Sequence, residues 1–206
     1  MAVEIELKAR LDDFLPVKER LSVLGDYYRS YTKTDTYWLP AQPAARQLAA
    51  TIPSGVRVRR ETGLAADGSA FDSILVTYKT KEISDGIEVN DECEFTVSDA
   101  EPFEELLSRL DLRKTYHKEK KGWAWLVPQA AQAVAERPLP PILAELSSVL
   151  GLGWFLEIEI QAANGSRQPV VDESRRRLLA LLEKLEIPAD RIESRPYTVM
   201  LKEAGL

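Results

Sequence analysis

The chain has one cysteine, Cys93, and one histidine, His117, among its 206 residues. A lone thiol excludes an internal disulfide and a multi-thiolate metal centre, and it suits a reducing compartment. A lone imidazole excludes His-rich zinc sites and most Ser/His/Asp arrangements. Any metal must then be held mainly by carboxylates, which favours Mg²⁺ or Mn²⁺. Long apolar runs are also missing. The longest, around residues 149–160, is too short and too interrupted to span a bilayer, and the start of the sequence has no signal-peptide apolar region. The expectation is a cytoplasmic protein with no membrane partner. Positive charge is not in excess either: 27 Lys and Arg against 33 Asp and Glu give a net charge of −6, which argues against binding a nucleic acid duplex.

What is present suits one soluble domain over residues 1–206, with 45% hydrophobic and 29% charged residues and enough length to bury a sizeable core. The oligomeric state, a homodimer included, stays open. Residues 3–10, VEIELKAR, alternate Val3, Ile5, Leu7 and Ala9 with Glu4, Glu6, Lys8 and Arg10, the period of a strand with one buried face. Asp12 or Asp13 then caps a helix to about Leu24, with Gly25 as its stop. A strand follows over residues 28–39. Residues 40–55 carry three prolines and read as a loop. Further strands come from VRVRR, from FDSILVTYKTK after an Asp-Gly connection, and from IEVNDECEFTV. Ser98 or Asp99 caps a helix through Leu110, and a strand covers residues 115–127. Residues 128–141 read as a loop or short helix, 142–150 as a helix, WFLEIEI as a strand, and DESRRRLLALLEKLEI as an amphipathic helix capped by Asp172. The order gives about eight strands with helices between groups of them, which reads as an α+β fold with an antiparallel sheet or barrel.

Six of the strands share one oddity: like or paired charges at i, i+2, hence on one face. They are Glu4, Glu6 and Lys8; Arg57 and Arg59; Lys79 and Lys81; Glu92 and Glu94; Lys118 and Lys120; Glu157 and Glu159. One such strand is ordinarily a solvated face. Six suggest a sheet curled with these faces inward, where so many buried charges need an occupant. A wet tunnel holding a polyanion and a divalent metal meets that need: Arg and Lys grip phosphate oxygens, and carboxylates hold the metal.

On these residues the chain resembles the triphosphate tunnel metalloenzymes, or CYTH superfamily, which includes class IV adenylyl cyclases, thiamine triphosphatases and inorganic triphosphatases. The opening ExExK of Glu4, Glu6 and Lys8 is its signature, and TDTYW, VRVRR, LVTYKTK, DECEF, HKEKK and FLEIEI match its successive strands over nearly the whole chain. The resemblance implies an eight-stranded antiparallel β-barrel forming a tunnel, with helices packed outside. It implies Glu4 and Glu6 as metal ligands, completed by Glu157 or Glu159, and Glu92 and Glu94 in the acidic half, serving a metal or water. By the same match Lys8, Arg57, Arg59, Lys79, Lys118 and Lys120 contact the triphosphate, with Lys81 a poorer match. Lys8 is also a candidate for positioning the attacking water. The implied partner is a triphosphate-containing small molecule, and the implied reaction is metal-dependent phosphoanhydride hydrolysis, or cyclisation of ATP to cyclic AMP and pyrophosphate. A binding module without turnover is the third reading.

The sequence also departs from its relatives. Ser147 stands where many of them have an Asp before the Leu-Gly, Pro196 precedes Tyr197 where they often have Ser, and the His-Phe lead-in of the class IV cyclases is missing. Trp123, Trp125 and Trp154 alternate with small or aliphatic residues and read as wall packing. His117 alternates away from the charged face, Arg175 to Arg177 read as a solvated helix face, and Cys93 reads as core. The loops at 40–55 and 128–141 are candidate lids over the tunnel mouths.

Overall fold

Alternation of side chains decides most of this fold. In β1 (Ala2–Leu11), Ile5, Leu7 and Ala9 are fully buried beneath helices, while Glu4, Glu6 and Lys8 leave the opposite face. The computed structural model describes residues 2–41, 55–84, 87–128, 133–134, 137–138, 140–163 and 168–205. After β1 come α1 (Leu15–Leu24), β2 (Asp26–Pro40), β3 (Val56–Ala65), β4 (Ala70–Ser84) and β5 (Ile87–Val97). Helix α2 (Ala100–Arg109) leads into β6 (Leu112–Val127), and a small hairpin pairs β7 (Ala133–Val134) with β8 (Arg137–Pro138). Strands β9 (Ile142–Val149) and β10 (Gly153–Ala163) precede α3 (Gln168–Lys184), a 3₁₀ turn at Ala189–Arg191 and α4 (Tyr197–Glu203).

The eight long strands run in the order β1-β10-β9-β6-β2-β3-β4-β5, all antiparallel. Residues 2–7 of β1 pair back onto residues 87–92 of β5, which closes the sheet into a barrel and removes its open edges. The α+β barrel expected from the strand count is the observed architecture. Its main apolar core lies outside the barrel wall. Ile5, Leu146, Ile158 and Ile160 pack there against Val17 and Leu21 of α1 and Leu178, Leu181 and Leu182 of α3, each fully buried side chain contributing about 1.5–3 kcal/mol. Helix α2 covers a second patch, with Ala100 and Leu107 on Trp38 and Val58. The helices claim the apolar faces, so the charged faces are left to the lumen.

Local signals act mostly as the sequence indicates. Asp99 caps α2 by accepting from the Glu101 amide at 3.0 Å. Asp13 accepts from the Leu15 amide at 3.0 Å, although Phe14 occupies the cap position of α1. Asp172 is not a cap, because α3 has already begun at Gln168, whose side-chain amide donates to it at 2.8 Å. Trp123 and Trp154 stack with Phe14 on the outer wall.

Three further expectations need correction. Residues 142–150 do not form a helix; residues 142–149 are strand β9. Without it the facing edges of β6 and β10 would leave their amides and carbonyls unpaired, so the sheet overrides the local helical spacing. Cys93 is exposed, not core, because α2 covers β5 only as far as Phe95, which meets Phe103 edge to face. Within residues 128–141 the described segments are the β7–β8 hairpin rather than loop or helix. Residues 42–54 of the expected lid lie outside the described residues.

Candidate active site

Glu4 and Glu6 sit two apart on β1, and the antiparallel register places Glu159 of β10 directly opposite Glu6. Each of the three offers a carboxylate oxygen, all within 4.8 Å of one another. Burial, then the Glu4 charge and the hydrogen bond shared with it, then Glu145 and Glu6, push the Glu159 carboxyl well above the ordinary range. Such crowding of hard oxygen donors fits a divalent cation, whose charge relieves the repulsion. All three carboxylates are among the candidate metal ligands expected from the sequence, and Glu159 rather than Glu157 is the one that lies beside Glu4 and Glu6.

Glu157 faces the cations instead. It pairs with Lys120 at 2.5 Å, and Lys120 also reaches Glu145 at 3.0 Å. Burial alone would raise the Glu157 carboxyl, but Lys120 and Lys118 override it and bring it down to about 2. One strand further, Arg59 grips Asp35 with Nε at 2.7 Å and Nη2 at 3.0 Å, and Lys118 approaches the same carboxylate at 2.9 Å. Asp35 is completely buried; burial would raise it, yet Arg59 and Lys118 hold it well below the carboxylate range. This Asp thus orients two of the expected phosphate-binding cations. Arg57 Nη2 donates to the Thr77 hydroxyl at 2.9 Å, and that hydroxyl donates to Glu94 at 3.0 Å. Glu94 therefore lies 3.7 Å from Arg57, on the basic side of the lumen.

Lys8 donates to the Arg195 carbonyl at 2.6 Å, and its ammonium lies 4.5 Å from the centre of the Tyr197 ring, which Lys118 approaches at 4.6 Å. Tyr197 opens α4, which packs Met200 and Leu201 on Val149 and Phe155 of the barrel. The chain leading to α4 adds to β1, where the Glu193 amide donates to the Lys8 carbonyl at 2.8 Å. Among the described residues it is this C-terminal segment, not a loop, that leans into the lumen.

Lys8, Arg57, Arg59, Lys118, Lys120, Glu4, Glu6, Glu157 and Glu159 are thus gathered in one lumen. The side chains of Lys79, Lys81 and Glu92 lie outside the described residues, though the backbone register sets Glu92 opposite Lys79. His117 is exposed and outside the lumen, as its alternation implies. Three buried residues escaped the sequence reading. Lys33 forms a buried ion pair with Glu145, and Glu61 lies 3.9 Å from Lys33 and 3.1 Å from Arg29. The signal for Lys33 was present, since Lys33 and Asp35 repeat the i, i+2 pattern on β2. Glu145 was hidden by the helical reading of β9.

The closed antiparallel barrel thus holds a carboxylate trio and a set of cations in one lumen. Comparisons with known proteins find chains of similar sequence and fold. A Methanocaldococcus jannaschii protein named as a candidate adenylate cyclase, MJ0240, is 25% identical over 95% of this chain and 96% of its own length. The structure of PH1819 from Pyrococcus horikoshii matches with a TM-score of 0.73 at 21% identity, over 97% of this chain and 98% of that one. The Hippeastrum candidate adenylyl cyclase HpAC1, described as having a dominant triphosphatase activity, matches with a TM-score of 0.58 at 14% identity, over 100% of this chain and 96% of that one. No family model matches the chain. These matches bear out the resemblance to the CYTH, or triphosphate tunnel metalloenzyme, superfamily.

Proposed function

We propose that this chain is a divalent-metal-dependent enzyme that hydrolyses a phosphoanhydride bond of a triphosphate bound in the barrel lumen. The observation that carries the reading is what converges inside one closed barrel: the carboxylates of Glu4, Glu6 and Glu159 meet at one place, and Arg57, Arg59, Lys118 and Lys120, each oriented by an acidic partner or hydroxyl, gather at another. Mg²⁺ or Mn²⁺ held by the trio would neutralise charge on phosphoryl oxygens. The protein's own work is positioning. Arg59, fixed in plane by Asp35, presents a guanidinium fork to phosphate oxygens, and Lys118 and Lys120 act as point charges beside it. Lys8, tied to the Arg195 carbonyl, is one candidate for positioning the attacking water, and a carboxylate, Glu92 or Glu94, is the other. Burial of these groups removes competing water and strengthens each contact.

Hydrolysis is favoured over cyclisation because, among the described residues, the lumen rings of Tyr31, Tyr37 and Tyr197 each already have a lysine ammonium against them, which disfavours stacking of a base there. The dominant triphosphatase activity described for HpAC1 points the same way. Cyclisation of ATP is the second reading, carried by the naming of MJ0240. The test is incubation of pure protein with Mg²⁺ or Mn²⁺ and either tripolyphosphate or ATP. Orthophosphate release supports hydrolysis, and cyclic AMP with pyrophosphate supports cyclisation. Binding of tripolyphosphate with neither product makes the chain a binding module and overturns the enzyme reading.

A further inference from the structure

One wall of the lumen holds more charge than the proposed reaction uses. Lys33 of β2 is 3% exposed, and Glu145 of β9 is 6% exposed. One Glu145 carboxylate serves three cations: Oε1 pairs with Lys33 and lies 3.7 Å from Arg29, and Oε2 meets Lys120 at 3.0 Å. The Tyr31 ring lies 4.4 Å from the Lys33 ammonium. Beside them the buried hydroxyls of Tyr31 and Ser147, separated by Gly122 in the register, approach one another with no hydrogen bond of proper geometry to any partner. Buried hydroxyls left in this state, next to a carboxylate clamped by cations, describe a place that accepts oxygen atoms.

We propose that Lys33, Lys120 and Arg29, with the hydroxyls of Tyr31 and Ser147, form a further phosphate subsite of the tunnel, and that Glu145 is the built-in counter-ion that occupies it until a polyphosphate displaces it. Two carboxylate oxygens make the contacts that two phosphate oxygens make in the bound state. The inference rests on the proposed function, since it names a subsite for the same polyanion. Its consequence is that Glu145 sets affinity by competition: its charge must leave Lys33 and Lys120 before a phosphate group can take them.

The test is calorimetric titration of metal-free protein with inorganic tripolyphosphate, with thermal unfolding of each variant measured alongside. Lys33→Met is expected to bind about tenfold more weakly, the loss of one charge-assisted hydrogen bond. Glu145→Gln is expected to bind about threefold more tightly, because it keeps the shape and removes the competing charge. Weaker binding by Glu145→Gln, or unchanged binding by a folded Lys33→Met, overturns the subsite. If either single variant fails to fold, the neutral pair Lys33→Met/Glu145→Gln decides. It should bind about threefold more weakly than wild type, and parity with wild type shows a purely structural ion pair and overturns the proposal. Absence of tripolyphosphate binding by the wild type would sink the proposed function as well, which separates the two failures.

Discussion

Replacing Asp35 by Asn removes a buried carboxylate on which two lumen cations depend. Its oxygens receive both forks of Arg59, at 2.7 and 3.0 Å, and meet Lys118 at 2.9 Å. Asn keeps the shape and one acceptor, but it turns an amide towards a guanidinium and leaves two buried positive charges without their partner. Breaking a buried pair in this way costs about 3–5 kcal/mol, and the retained acceptor places the expected loss near 3 kcal/mol, roughly a third of the stability of an ordinary domain. Urea denaturation at neutral pH reads this as a lower midpoint at unchanged slope. The loss arises from excess positive charge, so a bound polyanion should return part of it. Saturating tripolyphosphate should therefore raise the midpoint of Asp35→Asn by more than it raises that of the wild type. A loss below about 1 kcal/mol, or equal ligand responses in the two proteins, would refute the reasoning.

Other consequences are as direct. Glu6→Gln should reduce metal-dependent turnover about a hundredfold or more, since even outer-shell partners of a metal are worth 10- to 100-fold, while metal-free tripolyphosphate binding persists; loss of both in a folded protein would place Glu6 in the scaffold. Asp35, Glu145 and Glu157 all have folded-state pKa values below their unfolded ones, Glu157 at about 2. Their stabilisation is therefore full above the ordinary value of 4.5 and lost as pH falls from there towards 2, an acid limb that Asp35→Asn should make shallower in urea midpoints measured across pH. Lys33 has the opposite sign. Burial, with Lys120 and Arg59 beside it, overcomes Glu145 and lowers it to about 8 from 10.5, so stability should rise from pH 8 upward, and Lys33→Met should flatten that rise. Gly122→Ala would bring a Cβ within 2.1 Å of the Leu146 carbonyl oxygen on the neighbouring strand. It should cost about 2–4 kcal/mol in the same denaturation assay, the range of a steric change that backbone must absorb.

The barrel was legible because its strands break the usual rule together. Alternation in VEIELKAR assigns Ile5 and Leu7 to the helix side and Glu4 and Glu6 to the lumen, and the structure keeps that division. Alternation states which face a residue takes, but not which partner it meets. The choice of Glu159 over Glu157 beside Glu4 and Glu6 depends on the register between β10 and β1, which no single strand encodes. β9 was misread for a related reason. Ile142, Leu146, Val149 and Leu150 have helical spacing, and the demand for a strand between β6 and β10 is a property of the closed sheet. That misreading hid Glu145, and with it the ion pair that makes Lys33 part of the lumen. Cys93 failed differently. Its face was inferred correctly as the outer one, but how far α2 reaches along β5 is set by packing rather than by pattern.

The central claim is that carboxylates on one side of the lumen hold a divalent cation while cations on the other hold a triphosphate. Diffraction from crystals grown with Mn²⁺ and a non-hydrolysable triphosphate analogue, using manganese anomalous scattering, tests it most directly. An anomalous peak is expected among Glu4, Glu6 and Glu159, with the phosphate chain running past Arg57, Arg59 and Lys118. Manganese or phosphate bound only outside the barrel would contradict it.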